Sequence, residues 1–168
     1  MSYLGAGLGA AAVVDPRIEF QTKFADLMGR INGAIMAAAS RGATPAVLQT
    51  MSNNVAALGR IKDQVLAGDL AKAEQVRRVG EALLAEARQY STPTDYNVME
   101  GLIQSIASLP ARFASTVESV ARATGKTVKA VAEGAGVNPE LLVAQAGNAV
   151  KYGALAAVAL AAIYLARR

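Results

Sequence analysis

The chain has 168 residues, enough for one ordinary domain or a smaller domain with an appendage. Hydrophobic residues make up 53% of it, but aromatics only 5% and tryptophan none, so alanine and glycine carry much of the apolar count. Cys and His are both absent, which excludes disulfides, thiol chemistry, imidazole bases and the commonest metal ligand, while the net charge of +4 suits an anionic membrane surface or nucleic acid without choosing between them.

Small side chains bury little area each, and burial contributes only about 25 cal/mol per Å². Such a chain needs close helix packing or an assembly to be stable. Alanine has the best helix propensity, so the composition points to helix. Met1 to Val14 is an apolar, Gly/Ala-rich arm. It lacks the basic start of a secretory signal and is not read as one.

Four prolines share one grammar: Asp15-Pro16, Thr44-Pro45, Thr92-Pro93 and Asn138-Pro139. Each sets a capping side chain before a residue whose missing N–H costs nothing in the first helical turn, and each marks a helix start. A further start is expected at Asp69, and Gly42, Gly68 and Gly125 are expected stops.

The first helix is expected from about Pro16 to Arg41, with Phe20, Phe24, Leu27, Ile31, Ala34 and Ala38 as its apolar stripe. The second runs from about Pro45 to Ala67, striped by Leu48, Met51, Val55, Leu58, Ile61 and Val65. The third runs from about Asp69 to Tyr90, with Val76, Val79, Leu83, Ala87 and Tyr90 inward. Lys72, Arg77, Arg78 and Arg88 give this helix a basic side, a candidate contact for phosphate or other anions, although no aromatics interleave with them. Short connections make neighbouring helices antiparallel.

After Ser91 to Thr94, a fourth helix carries Met99, Leu102, Ile106 and Leu109, and Pro110 is expected to kink or split it. Phe113, Val117, Val120, Val128 and Val131 continue its apolar face up to Gly134-Ala135-Gly136. The run Ala123-Thr124-Gly125-Lys126-Thr127 is not a phosphate-binding loop, because Val120 stands where that pattern needs glycine and no strand precedes it.

From Tyr152 to Ala166 the chain reads YGALAAVALAAIYLA, 15 residues without a charge. That is roughly 22 Å of helix against a bilayer core of roughly 30 Å, so the upstream turns from Leu141 must extend it. Tyr152, Leu155, Val158, Ile163, Tyr164 and Leu165 are its expected lipid-facing or terminal residues, and Lys151, Arg167 and Arg168 its interface anchors. Ala149, Gly153, Ala157 and Ala161 recur every four residues, a row of small side chains that lets helix backbones approach.

The expected fold class is therefore all-α: a helical bundle or hairpin array of five to six helices with a C-terminal apolar, transmembrane helix. The expected divisions are a 1–15 arm, a 16–91 three-helix bundle, a 92–136 kinked helical segment and a 137–168 membrane-capable helix. Acids are dispersed among bases and no nucleophile sits beside a base, so no enzyme, cofactor or metal is expected.

In composition, in the Gly5 to Val14 stretch and in the Tyr152 to Arg168 helix, the chain resembles small membrane-associated virion proteins of bacteriophages. Some of these help to move the genome across the host envelope. The resemblance carries no diagnostic motif and transfers no functional residue. It implies a non-catalytic structural protein in a homo-oligomer with other structural proteins and a lipid bilayer as partners, located in the virion or the host membrane. A tail-anchored scaffold of the bacterial inner membrane and a holin-like lysis protein are the competing readings.

Overall fold

The structure, a computed structural model, describes residues 15–138, and every regular element among them is helical. Helix α1 spans Pro16–Ser40, α2 Pro45–Leu66, α3 Gln75–Ala87, α4 Pro93–Ala107, α5 Leu109–Thr124 and α6 Val128–Gly134. A 3₁₀ turn, Leu70–Glu74, leads into α3.

Capping explains where the helices begin. The Asp15, Thr44 and Thr92 side chains accept from the backbone N–H groups of Arg17, Val47 and Asp95, with proline in the first turn each time. Thr127 caps α6 in the same way, accepting from the Ala130 N–H. That start carries no proline and is not read from the sequence. Asp69 makes no side-chain cap, and the chain there first forms the 3₁₀ turn, so α3 begins six residues later than expected. Gly42, Gly68 and Gly125 all adopt positive φ at helix ends, as expected of stops. The Asn138-Pro139 pair and everything after it lie beyond the described residues, and so do the 1–14 arm and the expected transmembrane helix.

Packing follows the stripes. All six residues assigned to the first stripe are buried, with Phe20, Leu27, Ile31 and Ala38 at 0% exposure. The Phe20 and Phe24 rings stack at 5.3 Å between centroids. From α2, Met51, Leu58, Ile61 and Val65 join them; Val76, Leu83 and Leu84 come from α3, and Met99, Ile103 and Ile106 from α4. Helix α4 packs on both α1 and α3. The core thus continues across residue 91, and α1 to α4 pack as a four-helix bundle in up-and-down order.

Pro110 splits the fourth helical run. Ser108 ends α4, and α5 restarts with Pro110 in its first turn. Helix α5 then turns back onto the 3₁₀ turn and the start of α1, placing Leu109, Phe113 and Val117 against the core. Helix α6 packs on α5, and the two helices close one end of the bundle. Val128 departs from the expected face: it opens α6 just beyond the Gly125 break and is 45% exposed.

Candidate functional site

The four basic residues singled out on the third helical segment are spread around it. Arg77, Arg78 and Arg88 are exposed, and Lys72 sits half-buried on the 3₁₀ turn that precedes α3. Glu74 and Glu81 are exposed on the same segment, three residues before and four residues after Arg77, each about one turn from it. The Arg88 guanidinium lies 5.9 Å above the Tyr96 ring, which ties it to α4. The structure brings these bases into a surface of mixed charge.

The other candidate residues lie outside the described residues: Ala149, Lys151, Tyr152, Gly153, Leu155, Ala157, Val158, Ala161, Ile163, Tyr164, Leu165, Arg167 and Arg168. Among the described residues, no helix is long and apolar enough to cross a membrane, and no three acids gather as metal ligands. No polar or charged residue is buried among them either. The body of the molecule is an apolar core with its chemistry on the outside.

The polar contacts concentrate where α1 begins. Glu19 pairs with Lys23 at 2.8 Å and with Arg112 of α5 at 2.9 Å. The Lys23 ammonium donates to the Ser105 hydroxyl, and Arg112 also donates to the Ser105 carbonyl. Lys23 first, and Arg112 after it, hold the Glu19 carboxyl below the usual carboxylate range against a smaller opposing push from burial. This network joins α1, α4 and α5.

Beside it, Asp15 and Arg17 form a two-pronged pair, with contacts of 2.9 and 2.6 Å. The Arg17 guanidinium holds the Asp15 carboxyl below its ordinary value, and Asp15 in turn raises Arg17. Gly136, just past α6, faces this pair. A Cβ on Gly136 would lie 2.6 Å from Arg17 Nη2 and 3.9 Å from Asp15 Oδ2, and its φ of +74° is a conformation that glycine adopts without strain. The next residue, Val137, is 2% exposed and belongs to the core. The first and last described stretches of the chain are thereby fastened together.

Charge is distributed unevenly along the fold. Residues 15–108 hold ten acids and ten bases. Residues 109–138, the α5–α6 cap, hold four bases against two acids, and residues 139–168 three bases against one. The whole basic excess therefore lies in the cap and in the chain that follows it. Every residue from Arg122 to Ala130 is exposed, including Lys126, Val128 and Lys129. Lys126 makes no ion pair with a described residue, and Lys129 reaches Glu133 only at 3.9 Å. The Gly125-Lys126-Thr127 run is the turn itself: Gly125 is left-handed and Thr127 caps α6. The signal for this region in the sequence is the segment-by-segment balance of charge.

No family model matches the chain, and no curated protein or solved structure matches it.

Proposed function

We propose that this protein is a non-catalytic, membrane-associated structural protein that oligomerises, a component of a bacteriophage particle that helps to deliver the genome across the host envelope. The observation that carries the membrane reading is the uncharged run from Tyr152 to Ala166, bounded by Lys151 and by Arg167-Arg168. The spacing of Ala149, Gly153, Ala157 and Ala161 supports self-association through that segment, because small side chains let backbones come close. The assignment to a particle rests on the compositional resemblance to virion proteins.

A structural rather than enzymatic role is supported by residue chemistry. The chain has neither thiol nor imidazole, and the carboxylates described above serve as caps and surface pairs. The mixed-charge surface of α3 gives a phosphate-binding role for Lys72, Arg77, Arg78 and Arg88 no added support.

The test is flotation of the full-length protein with liposomes, beside a variant lacking Tyr152 to Arg168. The full chain should float and the shortened chain should stay at the bottom of the gradient. Equal flotation of both removes the anchor assignment. Gly153→Leu or Ala157→Leu should weaken cross-linked oligomers without changing flotation. Fractionation decides the particle: recovery from the inner membrane of uninfected cells, and not from virions, replaces the virion component with a cellular anchored scaffold.

A further inference from the structure

We propose that the α5–α6 cap, with Lys126, Val128 and Lys129 at its exposed turn, is the face this protein sets against an anionic lipid surface. The inference rests on the membrane reading above and adds to it an orientation, a lipid class and three contact residues.

Three observations support this face. The first is covalent. A Cβ built on Gly136 would lie 3.9 Å from Asp15 Oδ2, and Asn138 is only two residues further on, at most about 3.6 Å of chain per residue. Asp15 and Asn138, the first and last described residues, therefore lie near one another. The second is electrostatic. Residues 15–108 have no net charge, whereas residues 109–138, the cap, carry a net charge of +2. A basic pole on a neutral body turns that pole towards a negative surface. The third is the side chain of Val128. It is one of three large hydrophobic residues described as exposed, and it stands between Lys126 and Lys129. An apolar group flanked by long bases suits the boundary between headgroups and acyl chains, where the ammonium groups meet phosphate and the valine leaves water.

Met36 provides the contrast. It is 73% exposed but lies in the last turns of α1, at the opposite end of the bundle from Pro16. At 1.5 Å per residue the two ends of this helix are separated by roughly 35 Å. A lipid surface that meets the cap leaves Met36 in water.

The absence of cysteine makes the test direct. Val128→Cys and Met36→Cys, each in the full-length chain and each carrying a polarity-sensitive fluorophore, are mixed with two kinds of vesicle. One is phosphatidylcholine alone and the other contains phosphatidylglycerol. The label at 128 should shift to the blue on the anionic vesicles, and the label at 36 should not. Lys126→Glu with Lys129→Glu should lower partition into anionic vesicles by at least about tenfold, a difference that added salt should shrink. Both lysines are exposed, so folding should be retained, and an unchanged circular dichroism spectrum checks it. If the full chain floats but the label at 128 stays in water and the double variant binds equally well, the cap assignment fails while the membrane reading stands. Failure of the full chain to bind either kind of vesicle brings down both. If the double variant loses duplex DNA instead, with vesicle binding intact, the cap is a nucleic-acid surface and the proposal is overturned.

Discussion

Gly80 of α3 faces Ile103 of α4: a Cβ there would fall 2.6 Å from Ile103 Cδ1 and 2.8 Å from its Cγ1. Ile103 is 1% exposed and β-branched, so it has little freedom to step aside. Gly80→Ala gains about 0.5–1 kcal/mol in helix propensity. It should nevertheless lose about 1–3 kcal/mol to overpacking, with a net loss seen as a lower urea midpoint. Adding Ile103→Val should restore part of that loss, a coupling that a double-mutant cycle measures. At the same scale, Leu27→Asp or Ile31→Asp puts a carboxylate at a position with 0% exposure and no charged partner in the core. Either should cost at least about 4 kcal/mol, a large share of the stability of a domain this size, and thermal melting should show the cooperative transition lost or strongly lowered.

Between elements, α5 is held to α1 by apolar contact and by the Glu19–Arg112 pair. The Glu19 carboxyl is depressed in the folded state, so its contribution is present above the ordinary carboxylate range and disappears as pH falls through the lower folded value. Asp15, depressed by Arg17, behaves in the same sense. Acidification below pH about 4 should therefore loosen the α5–α6 cap before the four-helix core, since the pairs are partly exposed and each contributes about 1 kcal/mol or less. Hydrogen exchange followed from neutral to acid pH should show earlier loss of protection in 109–137 than in α1. Glu19→Gln should reproduce that loosening at neutral pH and make the cap less sensitive to acid. The mechanism fails if the variant and the parent exchange alike at every pH.

For the molecule as a whole, the described core ends at Val137. Deleting Tyr152 to Arg168 removes none of these core side chains, so the urea midpoint of the bundle should move by less than about 0.5 kcal/mol equivalent, the range of changes away from packed features. A large drop in the shortened chain would mean that the final segment packs on the bundle. The arrangement also has direction. The start of α1 and the residues just past α6 share one pole, and the hairpin turns at Arg41 to Thr44 and Tyr90 to Thr92 occupy the other, where Arg41 donates to the Tyr90 carbonyl.

Helix starts at Asp15, Thr44 and Thr92, and the stripe from Phe20 to Ala38, were legible because capping and 3.6-residue periodicity are local properties. The same locality explains why Pro110 announced a break. Other features depended on distant residues. The burial of Gly80 against Ile103, the membership of α4 in the core and the folding of α5 over the end of α1 join positions far apart in the chain, and no local pattern encodes which stripe meets which. The basic side of the third helix was local too, and the acids Glu74 and Glu81 on the same segment were as legible in the sequence as the bases. Conversely, Val128 was expected on an apolar face, and with Lys126 and Lys129 it becomes a candidate surface because the fold leaves all three exposed on the cap. Periodicity and capping fix what each segment becomes; exposure and neighbourhood are properties of the packed chain, because they depend on what every other segment covers.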